Sequence, residues 1–180
     1  MIVQEPYDED HREEPPAPRL DPRALRACLG CFATGVTIVT ALGARGQLLG
    51  VTANSFNAVS LDPPLVLFSL DRRAYSLWDF LSTGHFAVNV LAAEQADLSA
   101  RFARAREDKW SGVSWSVWDH GCPILDGCHA SFECSIAYTH AGGDHVIFVG
   151  QVRRMAMDPE KAPLLYYRGR YRSLAPLGPG

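Results

Sequence analysis

No stretch of this 180-residue sequence approaches the ~20 consecutive apolar residues that cross a bilayer, so no membrane association is expected. Basic charge is not in excess. The 17 Lys and Arg stand against 20 Asp and Glu, a net charge of −3, and nothing in that balance calls for nucleic acid. No Gly-x-Gly-x-x-Gly follows a strand-like segment and few strand–helix–strand units are visible, which sets aside a Rossmann-type fold. No internal repeat is present. The cysteines number five, Cys28, Cys31, Cys122, Cys128 and Cys134, an odd count. The first twenty residues are acidic and proline-rich, the reverse of a secretion signal, so reduced thiols and a cytoplasmic protein are expected. Cys28-x-x-Cys31 has no second half to complete a zinc site, and burial as small apolar side chains is its favoured reading. His140 and His145 fit no common zinc spacing with Asp144, so no metal is expected.

What the sequence does have is a composition 47% hydrophobic, enough for a globular core. Residues 1–19, charged and proline-rich without periodicity, read as a disordered tail. Residues 20–174 read as one domain and 175–180 as a short tail. Asp21-Pro22 is a helix start, and residues 23–31 are expected to be helical with Leu25, Cys28 and Leu29 facing inward. Residues 36–40 (VTIVT) and 48–53 read as a hairpin around Gly43 and Gly46. Further strands are expected at 65–70, 86–91, 130–137 and 146–155, with helices at 76–82 and 92–105. Residues 138–145 read as a glycine-rich loop. Trp110, Trp115 and Trp118 lack interleaved basic residues and read as packing rather than as a base-stacking platform. About six strands separated by turn signals suggest a mainly β, antiparallel barrel with accessory helices.

The stretch from Gly50 to Leu70 is the most suggestive. Its first half is small and polar, with Thr52, Asn54, Ser55 and Ser60, and with Gly50 and Ala53 keeping bulk down so that a ligand can approach the backbone. Asp62-Pro63-Pro64 then marks a turn or sheet edge. Arg72, Arg73, Tyr75 and Ser76 follow a buried strand just before a helix; anion binding and a solvated charged turn are equally good readings of them. Phe102 between Arg101 and Arg104 reads as a core ring beside surface charge.

Taken together, FATGVTIVT (32–40), GVTANSF (50–56), VSLDPPL (59–65), FAVNVL (86–91) and Gly143-Asp144-His145 resemble, in order and spacing, the flavin reductases that supply two-component monooxygenases. The resemblance implies an FMN-binding split barrel of six antiparallel strands in Greek-key order, a homodimer, and hydride transfer from NADH, favoured over NADPH, to FAD or FMN. The reduced flavin would pass to a partner flavin-dependent monooxygenase. By position, the resemblance implies that Leu49, Gly50, Val51, Thr52, Asn54 and Ser55 line the flavin ring. Ser69, Leu70, Arg72, Tyr75 and Ser76 would hold its ribityl and phosphate, joined by Arg101 and Phe102. His145 would sit at the nicotinamide as the catalytic residue, and Tyr166, Tyr167, Arg168, Gly169 and Tyr171 would meet the dinucleotide. Ala58 stands where some relatives have a hydroxyl residue. Two other readings are a non-catalytic flavin-binding module and a flavin-dependent oxidase of the pyridoxamine-phosphate oxidase type. Both predict tightly held flavin.

Overall fold

In the computed structural model, which describes residues 20–104 and 108–175, the chain begins with α1 (Pro22–Leu29), β1 (Thr34–Gly35), β2 (Thr37–Leu42) and β3 (Leu48–Ala53). It continues through β4 (Asn57–Leu61), β5 (Pro64–Asp71), α2 (Leu77–Ser82) and β6 (His85–Val90). A 3-10 turn (Ala93–Gln95) leads into α3 (Ala96–Phe102), β7 (Trp115–Val117) and β8 (Pro123–Leu125). The long hairpin β9 (Ala130–Gly142) and β10 (His145–Met157) follows, then β11 (Leu165–Tyr167) and β12 (Arg170–Arg172). The tail expected at 1–19 and all but residue 175 of that expected at 175–180 lie outside the described residues.

The main sheet is antiparallel, in the order β3-β2-β6-β9-β10-β5-β4. One apolar cluster takes inward side chains from nearly all of it: Val39 and Ala41, Leu49, Val66 and Phe68, Phe86 and Val88, Cys134, and Val146 and Phe148. A flat sheet of seven strands could not gather these into one cluster, so the sheet is rolled around them. Phe68 sits at the centre, stacked on Phe148 at 4.9 Å and edge-on to Phe86 at 5.0 Å. Outside the roll, α3 and the segment after it cover a second cluster built on Ile38, Leu91 and Phe102.

Strands β1, β7, β8, β11 and β12 form two small further sheets, and the main sheet has seven strands rather than the expected six because Asn57–Leu61, read from sequence as part of a ligand-binding segment, pairs with β5 as an edge strand. It lacks β-branched runs and owes its conformation to its partner across the Asp62–Pro63 turn, not to propensity. The helix expected at 92–105 is a 3-10 turn and a short α3 that ends at Phe102. The loop expected at 138–145 is mostly strand: β9 and β10 run on to a tight turn at Gly143, whose φ of 65° suits glycine. Trp110 and Trp118 pack as expected, while Trp115, edge-on to Trp110, stays 38% exposed. Trp110 meets Phe102 edge-on, and Trp118 lies under the Arg154 guanidinium.

The largest departure is α1. Asp21 caps it as expected, accepting from the Arg23 and Ala24 amides. Yet Leu25, Cys28 and Leu29 face outward, Leu29 at 65% exposure, and no residue of the helix is buried. The amphipathic pattern is real, but no described part of the chain packs on its apolar side. Cys28 and Cys31 are thus exposed rather than buried, whereas Cys122 and Cys134 are in the core.

Candidate functional site

Strand β3 lies at one edge of the main sheet, and the roll brings it to β5 without a ladder between them. The contact is a clasp. The Ser55 hydroxyl donates to the Ser69 carbonyl at 3.2 Å and accepts from the Ser69 amide at 2.9 Å. Beside this clasp a cleft of about 310 Å³ opens, lined by Val51, Thr52, Ala53, Asn54, Ser55, Ser69, Leu70, Asp71, Ala74 and His145. That volume lies at the small end of ligand pockets.

The cleft's edge is main chain. Along β3, antiparallel pairing directs the peptide groups of Leu49, Val51 and Ala53 toward β2, and those of Leu48, Gly50 and Thr52 away from it. The Thr37 hydroxyl on the Ala53 carbonyl, at 2.8 Å, marks the first set. The outward Leu48 carbonyl accepts from Trp110 Nε1 at 3.1 Å, and the Gly50 carbonyl from Lys109 Nζ at 3.3 Å. The next outward pair, on Thr52, faces the cleft with no such cover among the described residues. Its side chain is turned the other way, donating to the Ser99 carbonyl at 2.7 Å.

His145 closes the cleft from β10, opposite Asp71 in the β10–β5 ladder. Its Nδ1 lies 2.8 Å from an Asp144 oxygen, which leaves Nε2 as the free ring nitrogen. The hydrogen bond to His145 holds the Asp144 carboxyl below its ordinary value. Asp71 is likewise depressed, first by the hydrogen bond from the Arg73 guanidinium at 2.8 Å. Acidic groups at this mouth are therefore ionised at neutral pH, and Arg73 is engaged by one of them.

Of the residues expected to bind flavin, the cleft brings together Val51, Thr52, Asn54, Ser55, Ser69, Leu70 and His145. Others stand apart. Leu49 points into the core. Gly50 is glycine for a reason the sequence did not show. A Cβ there would lie 2.4 Å from the Phe102 ring, so the missing side chain makes room for packing behind the strand rather than for a ligand in front. Phe102 is wholly buried and supports the wall from behind. Arg101 donates to the Ser111 carbonyl, and Arg72 Nε to the Gly143 carbonyl. Tyr75 is 95% exposed, and Ser76 precedes α2 without capping it through its side chain. Ala53, read from the sequence as keeping bulk down, lines the cleft; Asp71 and Ala74 in the lining, and Lys109, Trp110 and Ser99 behind β3, were not singled out for the site. Their roles depend on contacts across some fifty residues of chain, and no local pattern signals them.

The C-terminal residues form their own small sheet, β1-β11-β12. Thr34 pairs with Tyr166, and Asn54 Nδ2 donates to the Thr34 hydroxyl at 3.4 Å, which ties this sheet to the end of the cleft wall. Tyr171 donates to Ser99 Oγ at 2.9 Å, reaching the residue that also receives Thr52. Tyr166 lies edge-on to Tyr171, and Arg168 lies over the Tyr167 ring. Arg168 and Gly169, with φ of 49° and 76°, make the two-residue turn between β11 and β12. They line a second, more open depression of about 460 Å³ with Arg26, Ala27, Cys28, Gly30 and Cys31. The enclosed, polar-edged cleft at β3 is the better candidate for a planar ligand, although it is the smaller of the two. Among the described residues no cluster of three or more His, Cys, Asp or Glu could hold a metal ion. No described helix is long and apolar enough to cross a membrane.

Residues 29–175 match the model of the family described as flavin reductase like domain. A probable flavin reductase of Rhizobium meliloti is 50% identical over 132 residues, 73% of this chain and 42% of that protein. This chain therefore spans less than half the length of that relative. The reductase subunit of a flavin-dependent monooxygenase from Rhodococcus jostii is 42% identical over 160 residues, covering 89% of this chain and 82% of that one. Among solved structures, an NADH:FAD oxidoreductase of Streptomyces globisporus superimposes with a TM-score of 0.82 at 38% identity, covering 92% of this chain and 96% of that one.

Proposed function

This chain belongs to the flavin reductase-like domain family, and from that membership we propose that it is an NADH:flavin oxidoreductase whose reduced flavin serves a flavin-dependent monooxygenase. The observation that carries the reading is the cleft beside β3. It is walled by small residues, rimmed by outward main-chain groups and faced by one histidine. Such a wall fits a flat, hydrogen-bonding heterocycle. Ala53, Ala74, Ser55 and Ser69 let it approach closely, and the Thr52 amide and carbonyl offer a donor and an acceptor. A flavin bound there supplies a hydride acceptor.

The chain's own residues bind and align. Thr52, Asn54 and Ser55 hold one edge of the ring, and Val51 and Leu70 give its face an apolar bed. His145, fixed through Nδ1 by Asp144, presents Nε2 toward the cleft, where it can orient a nicotinamide carboxamide or hold a proton. Tyr166, Tyr167, Arg168, Gly169 and Tyr171 are the proposed dinucleotide contacts, with Arg168, exposed although it lies over Tyr167 and donates to Cys31 Sγ, placed to meet a phosphate. Arg72, Tyr75 and Arg101 are exposed, Ser76 is half-buried, and the four would serve the flavin's tail once it is bound.

The same reading includes a homodimer of a single domain, residues 20–174, working in the cytoplasm. The exposed apolar side chains of Leu61, Met155 and Met157 support self-association, and five free thiols suit a reducing compartment. The test is a steady-state comparison of NADH and NADPH against FAD, FMN and riboflavin with dialysed protein. Colourless protein that oxidises NADH only when flavin is added is the expected result. Persistent yellow colour with oxidation of an organic substrate would replace this reading with an oxidase. His145→Ala should lower NADH oxidation at least about tenfold while flavin binding survives, and equal loss of both would remove His145 from the nicotinamide side.

A further inference from the structure

Cys28 and Cys31 take no part in the cleft, yet both thiols are exposed and share one turn. The Cys31 amide donates to the Cys28 carbonyl at 3.0 Å, and the ends of such a turn lie within about 7 Å between Cα atoms. That is a span a disulfide bridges. Cys31 Sγ donates to the Ala27 carbonyl at 3.5 Å and accepts from Arg168 Nη2 at 3.7 Å. Between the two cysteines, the Gly30 carbonyl accepts the Arg168 amide at 3.0 Å. Arg168 stands at a φ of 49°, a conformation few non-glycine residues adopt, so its turn depends on these braces. The remaining thiols are out of reach. Burial pushes those of Cys122, Cys128 and Cys134 up to about 12.

We propose that Cys28 and Cys31 are a peroxide-sensitive dithiol whose closure to a disulfide loosens the Arg168–Gly169 turn and weakens the hold on the dinucleotide. The step is balanced with hydrogen peroxide, formed whenever reduced flavin meets dioxygen in place of its acceptor. One thiol attacks the peroxide and becomes a sulfenic acid as one water leaves. The second thiol attacks that sulfur. The S–S bond forms, the S–O bond breaks, and the departing hydroxide takes the thiol's proton as a second water. Two thiols are oxidised and one peroxide is reduced. In the bridge Cys31 Sγ no longer has its thiol proton for Ala27 and is drawn from Arg168 toward Cys28. The Gly30 peptide lies inside the new ring, so the carbonyl that holds the Arg168 amide is re-aimed. The effect on NADH rests on the function proposed above; the bridge and the loosened turn do not.

The full-length protein is treated with hydrogen peroxide or kept in dithiothreitol, then digested. Trypsin releases residues 27–45, which carry both cysteines and no other, so a bridge appears as the loss of two hydrogens from that peptide. The native protein is also timed for tryptic cleavage after Arg168, and the KM for NADH is measured. Oxidation is expected to close the bridge, speed cleavage after Arg168, and raise KM about tenfold with kcat little changed. Cys28→Ser keeps the Cys31–Arg168 contact but cannot form the bridge, and both its readouts should be indifferent to peroxide. An intact peptide mass after peroxide overturns the proposal, as does a bridge that alters neither the tryptic rate nor KM. If the chain consumes no NADH in either state, the reductase reading fails, and the tryptic rate alone decides the switch.

Discussion

A single missing methyl group at position 50 couples the two sides of β3. The Phe102 ring fills the place of a Gly50 side chain, and Lys109 holds the same residue's carbonyl. Gly50→Ala should destabilise the fold by about 2 kcal/mol, read by denaturant unfolding, because a rigid buried ring must shift. Adding Phe102→Leu should recover part of that loss, and simple additivity of the two costs would contradict the contact. The thiols offer a second check at this scale. In the native protein Cys28 and Cys31 should react with a thiol reagent at mildly alkaline pH, while Cys122, Cys128 and Cys134, held near 12 by burial, react only on unfolding. Individual residues were unevenly legible in the sequence. Ser55 stood out as a hydroxyl in a small-residue segment, whereas His145 was singled out only through the family resemblance, and both line the cleft. Gly50 was noticed for the wrong reason, since a sequence shows that space is left but not on which side.

Between elements, the firmest polar knot is Asn89 on β6. Its amide donates to the Ile38 carbonyl and the Thr40 hydroxyl on β2, and its oxygen accepts from the Leu125 amide on β8 and the Ser131 hydroxyl on β9. Asn89→Ala would leave buried partners unsatisfied and should lower stability by about 3 kcal/mol in chemical denaturation. Nearby, His85 and His120 stack at 4.1 Å. Burial first, and His120 second, hold His85 below its ordinary 6.5, while Glu133 opposes the shift. The fold thus favours the neutral ring. Its contribution is complete above about 6.5 and is lost as pH falls toward the folded value. The denaturant midpoint should drop as pH falls below about 6.5, and His85→Gln should flatten that drop. Strands β2, β3, β5 and β6 were legible because β-branched and aromatic runs specify them. Strand β4 was not, because it is made by its neighbour. The position of α1 was readable from its cap and proline, but what its apolar face meets was not, since periodicity marks a face without naming its partner.

At the scale of the whole molecule, a sheet rolled around Phe68 has two edges, β3 and β4, and the candidate cleft lies where the first returns to β5. Light scattering should report twice the 19.8 kDa chain mass, and Leu61→Asp with Met155→Asp should shift it toward a single chain. The cleft's hydrogen-bonding rim on β3 has a further consequence. Under the function proposed above, the recognition groups on Thr52 would be the amide and carbonyl common to every amino acid. Thr52→Ala would therefore pass nearly unnoticed in a flavin titration. Proline at Thr52, which deletes an amide, would not. This edge would read its ligand with the part of the polymer that codons cannot rewrite, while Asn54 and Ser55 beside it would still depend on their side chains.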